Sequence, residues 1–171
     1  MSDNLIYVLD ADVFIDAKNR YYAFNLAPRF WKDLILFSSK GSIQSIDKIK
    51  KQLEDGKDDL AKWIKAGNMT EAFVTTEQDD VIAAYKETIT WVQTNAQYND
   101  AARETFAGDP DGWLIAYVYA KSKAGGNHVL VTLEQPKNSK STVKIPNVCN
   151  GLGIVWRNTF EMLLDLGVRF E

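Results

Sequence analysis

Two short apolar runs constrain this chain more than anything else in it. One is LIYVL at 5–9; the other is the HVLVT stretch at 128–132. The first shows no alternation of polar and apolar residues, which is how a strand buried on both faces reads. Burial on both faces is the condition of a strand inside a parallel sheet covered by helices. The segments between the runs have the helical period. Pro28 opens PRFWKDLILFSS, which Gly41 closes. SIQS at 42–45 adds a short strand. From Ser45, the residues Ile46, Ile49 and Leu53 line one helical face, with Lys48, Lys50 and Lys51 mostly outward. DGKDDLAKWIKAG reads as a turn and a short helix ending at Gly67. Residues 77–106 read as one helical stretch striped by Val81, Ile82, Tyr85, Ile89 and Val92. In GDPDGWLIAYVYAKSKAGG, Asp109 suits the N-cap, Pro110 the first turn and Gly125–Gly126 the exit. VKIPNV reads as a short strand and TFEMLLDLG as a last helix. Strands alternating with helices predict an α/β layer fold around a mostly parallel sheet.

The chain's 171 residues suffice for one domain with a real core. A net charge of −3 excludes a global basic field, although twenty Lys and Arg leave room for a local basic groove. The single Cys149 excludes an intramolecular disulfide and fits a reducing cytoplasm. His128 is the only histidine, which disfavours a His-rich zinc site and makes a Ser-His-Asp triad depend on one residue. It reads as structural, and Cys149 as a small buried residue. No signal peptide or membrane-length apolar run is visible, so a soluble cytoplasmic protein is expected.

Chemistry gathers where the two runs stop. Asp10 follows the first; Thr132 and Glu134 follow the second. In open α/β sheets, ligands bind beyond the carboxyl ends of strands at a switch in strand order. If the two strands are neighbours, these side chains meet. Carboxylates without cysteine or histidine support form a hard-ligand set that favours Mg2+ or Mn2+. Two such ions roughly 4 Å apart can activate water and stabilise the leaving oxygen in phosphodiester cleavage. The candidate ligands are Asp10, Asp111 and Glu134. Each also has a plainer reading: Asp10 as a cap, Asp111 as a complement to a helix dipole, Glu134 as a loop residue beside Pro136.

YVLDADVFIDAKNRYYAF followed by PRFWKDL resembles the opening of a PIN-domain subfamily, the nucleases related to toxins of bacterial toxin–antitoxin pairs. The resemblance continues through SIDKIKKQLEDGKDDLAKW, DPDGWLIAYVYA, HVLVTLEQP and KIPNVCNGLGI. It implies one PIN-like domain over 1–171, a three-layer α/β/α sandwich and a metal-dependent endoribonuclease using Mg2+ or Mn2+. It also implies an RNA substrate, a homodimer and a cognate antitoxin whose basic side chain enters the acidic site. The family's first acid falls on Asp10, its third on Asp111 and the acid after the later strand on Glu134, with Thr132 at a hydroxyl position. Its second acid falls on Gln52, an amide that contributes no charge. Glu54 lies roughly 200° from Gln52 around the helix and is no substitute. Ala11 and Asp12 occupy positions that are often a small hydroxyl residue and Asn; Asp12 either adds negative charge to the site or points away, and a turn of ADVFID toward a helix favours the second.

Two other readings stay open. One is a PIN-like fold that binds RNA or a partner without cutting, for which Gln52 is the best argument. The other is a haloacid-dehalogenase-type phosphatase with Asp10 as nucleophile, on the strength of DADV at 10–13. Its late acidic motif fails, because Trp113 stands four residues after Asp109. Tyr21, Tyr22, Phe24, Phe30 and Trp31 read as core or dimer seam rather than as base-stacking residues.

Overall fold

A computed structural model describes residues 4–169. Its strands are β1 (Ile6–Leu9), β2 (Ile43–Ile46), β3 (Phe73–Val74), β4 (His128–Val131) and β5 (Trp156–Arg157). Its helices are α1 (Ala11–Asp16), α2 (Pro28–Ser39), α3 (Asp47–Glu54), α4 (Asp59–Lys65), α5 (Asp79–Gln93), α6 (Asp100–Gly108), α7 (Asp111–Lys123), α8 (Ile145–Leu152) and α9 (Thr159–Asp165). The strands form one parallel sheet in the order β3-β2-β1-β4-β5. Helices cover both faces, giving the expected three-layer α/β/α sandwich. Tyr7 on β1 donates its hydroxyl to Asp165 on α9 at 3.0 Å. Gln44, the register partner of Val8, accepts the Tyr117 hydroxyl of α7 at 2.8 Å. Neighbouring strand positions point to opposite faces, so α9 and α7 lie on opposite sides of the sheet.

The apolar runs became central strands for the reason their composition gives. Val8, Leu9, Leu130 and Val131 are fully buried, as only a sheet covered on both faces allows. Register pairs Ile6 with His128 and Leu9 with Val131, and the backbone N–H of Asp10 continues the ladder to the Val131 carbonyl at 2.9 Å. The chain departs from β1 toward β2 and β3 on one side, and later from β4 to β5 on the other. The order therefore reverses between β1 and β4.

Some local expectations were wrong. Residues 77–106 are not one helix: α5 ends at Gln93, and Asn99 caps α6 by accepting from the Ala102 N–H. Tyr98, in the connection, is buried, so core contact holds the break open. VKIPNV is not a strand. It begins α8, with Pro146 in the first turn and Gly153 ending the helix at a φ of 74°. Asp109 is not the N-cap of α7; it leaves α6 in extended backbone, and Pro110 precedes the first turn without a side-chain cap. The two-residue strands β3 and β5 carry too little pattern to be seen in sequence.

The aromatic group near α2 is chiefly core. Phe30 and Trp31 are buried, Tyr22 stacks on Phe30 at 4.5 Å, and Phe24 and Trp63 pack against Trp31. Tyr21 differs: it is exposed and meets Phe160 edge-on. Cys149 is fully buried, and burial pushes its thiol up to about 12, consistent with an inert residue. His128 is half-buried against Tyr117.

Candidate active site at the β1–β4 switch point

The strand ends bring Asp10 and Thr132 together directly. Asp10 caps α1, accepting the Ala11 N–H on Oδ1 at 2.7 Å. Its Oδ2 lies 3.0 Å from Thr132 Oγ1. Asp12 is here too, contrary to expectation. The helix starts at Ala11, so the chain curls instead of running on, and Asp12 in the first turn swings back over the end of β4. Its Oδ2 accepts from the Leu133 N–H at 3.0 Å and lies 3.0 Å from the same Thr132 Oγ1. Asp12 Oδ1 is buried without a hydrogen-bond partner.

Asp111, Glu134 and Gln52 complete the group. Asp10, Asp12, Asp111, Glu134 and Gln52 all line one cavity of about 280 Å3, with Asp109 and Pro110 at its wall. Asp111 arrives on the first turn of α7. Glu134 is held twice: its N–H donates to Thr132 Oγ1 at 3.1 Å, and its Oε2 accepts the Ile145 N–H at the start of α8 at 2.8 Å. The plainer reading of Glu134 as an exposed loop residue therefore fails. Glu54 faces elsewhere and pairs with Lys50.

Electrostatics separates this group from ordinary surface acids. Burial holds the Asp10 carboxyl well above its usual range, and Asp12, Asp111 and Glu134 push it further. Burial raises Asp12 to about 6, against the lowering pull of the Leu133 N–H and Thr132 hydroxyl. Burial raises Asp111 to about 7, reinforced by Glu134, Asp109 and Asp12 and opposed by Lys144. The hydrogen bonds show the same thing. A hydroxyl carries one proton, yet Thr132 Oγ1 faces carboxylate oxygens of both Asp10 and Asp12 while accepting from Glu134. A proton resident on the Asp10–Asp12 pair satisfies both contacts. Sequence reasoning missed Asp12 because helix onset at Ala11 decides it. Nothing in sequence marks Lys144, whose charge acts on Asp111 from the residue before α8.

As they stand, no three His, Cys, Asp or Glu side chains among the described residues converge tightly enough to cage one ion. Repelling carboxylates have no cause to converge further on their own. The donor set nonetheless fits a hard divalent cation: it is all oxygen, gathered on one cavity, and short of positive charge.

The fold and site define a doubly wound parallel α/β protein with a carboxylate cavity at its switch point. The chain belongs to the family described as Domain of unknown function (DUF4411), whose model matches residues 7–170. No curated protein and no solved structure matches it. Among the described residues, no helix is long and apolar enough to cross a membrane.

Proposed function

We propose that this protein is a metal-dependent endoribonuclease of the PIN type, with Mg2+ or Mn2+ held by Asp10, Asp111 and Glu134 and by Asp12 as a further acid. The observation that carries the reading is the convergence of four carboxylates, Asp10 buried and the others partly so, in one cavity at the place in the sheet where strand order reverses, with Lys144 the cation that acts against the rise at Asp111. Natural chains do not retain mutual repulsion of this kind for stability, and perturbed acids in a cleft are the usual mark of a functional site. A bound ion would supply the activated water and the charge that stabilises the leaving oxygen. Thr132 fixes the orientation of Asp10 and Asp12, and the α8 N-terminus fixes Glu134. Gln52 faces the same cavity as a neutral oxygen donor and lowers the charge available. The resemblance to toxin-type PIN proteins extends the proposal to a toxin role, a homodimer and an antitoxin. An antitoxin Arg entering the cavity would pair with two carboxylates through its planar fork.

Gln52 favours a second reading, a binding protein that cuts slowly or not at all. Single-turnover cleavage of single-stranded RNA with and without Mn2+, beside calorimetric titration of the metal, separates the two. Cleavage that needs the ion supports the ribonuclease. Metal and RNA binding without cleavage supports the binding protein. A beryllofluoride adduct at Asp10, the analogue of a phosphoaspartate, would overturn both in favour of a phosphatase.

A further inference from the structure

Three cavities share walls at the acidic end of the sheet. The central one holds the carboxylates. On one side, a cavity of about 350 Å3 shares Gln52, Asp109 and Pro110 with it and adds Lys51 and Gly108. A third cavity of about 180 Å3 shares Asp109, Asp111 and Glu134 and adds Thr105, Ser141 and Thr142. Cavities that adjoin the acids and continue past them suit the interior of a chain rather than its end.

Two residues of the larger side cavity, Gly108 and Lys51, have no packing or side-chain partner among the described residues that accounts for them. The other glycines either take a positive φ or would drive a Cβ into a neighbour at 3.4 Å or closer. Gly108 does neither: a Cβ there meets nothing within 4 Å. It is the last residue of α6, where alanine is the better helix former. A bare backbone facing an open cavity is what a closely approaching ligand requires. Lys51 is exposed, and its ammonium makes no ion pair or hydrogen bond among the described residues. Its neighbours are committed: Lys48 donates to Thr76 and lies over Trp113, and Lys50 pairs with Glu54. Trp113 serves as wall rather than stacking platform, because Tyr85 stacks on it at 3.8 Å and Lys48 sits 4.4 Å from its ring centre. Asp55 and Asp109 in the wall balance Lys48 and Lys51 in formal charge, so Lys51 is, among the described residues, the single cation there left to meet a phosphate.

We infer that this cavity holds the nucleotide adjoining the scissile phosphodiester of a single-stranded polynucleotide, with its phosphate on Lys51 and its sugar or base against the Gly108 backbone. The inference rests on the ribonuclease reading and adds to it the side on which substrate is gripped. The test compares wild type, Gly108→Ala and Lys51→Gln by thermal melting and by KM and kcat on RNA with Mn2+. The same two changes on a non-cutting Asp10→Asn background report oligonucleotide binding against salt, with no divalent ion added. Gly108→Ala should melt about 2 °C higher, yet raise KM about tenfold with kcat little changed. Lys51→Gln should lower the slope of log affinity against log salt by about 0.7, the signature of one phosphate contact on a single strand. A Gly108→Ala protein with wild-type KM, or a Lys51→Gln protein with an unchanged slope, overturns the inference. If wild type cuts RNA and both variants match it, only the grip is wrong. If wild type neither cuts nor binds RNA, the ribonuclease reading falls and takes the grip with it.

Discussion

Asp10 and Asp58 do the same local job and end in opposite electrostatic states. Each caps a helix: Asp10 accepts the Ala11 N–H at the start of α1, and Asp58 accepts the Ala61 N–H at the start of α4. At Asp58 the capping N–H, with Lys18 3.3 Å away, holds the carboxyl below its usual range. At Asp10 burial and three neighbouring acids hold it far above. A cap explains either residue's place at a helix start. It does not explain why one of them is buried among its own kind. The surplus of negative charge at the β1–β4 end, absent at the α4 corner, is what marks a site rather than a structural device.

The largest effect should come from Asp10→Asn. Asparagine keeps an oxygen for the Ala11 N–H and removes a charge, so the fold should stand and melt no lower than wild type. Metal-dependent RNA cleavage should fall by about 100-fold or more, since a supporting metal-site group alone typically costs 10- to 100-fold. An Asp10→Asn protein that cuts at the wild-type rate would sink the assignment.

Gln52→Glu should run the other way. It adds a charge where the cavity has only an amide oxygen, and should tighten Mn2+ binding and raise cleavage by about tenfold. Titration and single-turnover kinetics on both proteins at one pH provide the check. No change in either would mean that the side chain does not face the ion.

The two regions should also separate by pH. A carboxyl raised in the folded state, as Asp10, Asp12 and Asp111 are, holds protons that the unfolded chain has already released. Its contribution to stability is complete below the unfolded value of about 4 and is lost as pH rises through the folded value. Asp12 at about 6 and Asp111 at about 7 place that loss between roughly pH 4 and pH 8. Asp58, lowered on folding, has the opposite sign: it supports the fold above the unfolded value and fails only in acid. The metal-free protein should therefore melt lower at pH 8 than at pH 5, and Asp12→Asn with Asp111→Asn should flatten the difference. Added Mn2+ should raise the melting point at pH 8 in wild type and not in the double variant.

The smallest effect is expected at the α4 corner. Asp58→Ala should cost about 1 kcal/mol through the lost cap. For a chain of this size that lowers the melting point by roughly 2–4 °C. Cleavage and metal binding should not change. A loss of activity with Asp58→Ala would blur the line between structural and functional acids.

Legibility in the sequence followed pattern length. LIYVL and HVLV were readable as central strands because both-face burial leaves an uninterrupted apolar run, and α2, α3 and α7 because a helix repeats its face over several turns. Phe73–Val74 and Trp156–Arg157 are strands only because β2 and β4 offer them an edge. The break at 94–99 has helical-looking flanks and is held by tertiary burial of Tyr98. Asp10, Asp111, Glu134 and Gln52 were legible in the sequence and line one cavity, and Thr132, legible too, lies fully buried against Asp10 and Asp12. Asp12 and Lys144 were not, since their places depend on where α1 and α8 begin.

The sequence by itself determined that carboxylates end two buried strands and that no cysteine or histidine supports them, because burial and side-chain chemistry are local properties. Only the tertiary structure decided that those strands are neighbours, that Asp12 joins Asp10 on one Thr132 hydroxyl, and that four carboxyl groups share one cavity. Charges separated by more than a hundred residues acquire an energy of interaction only when folding removes the water between them.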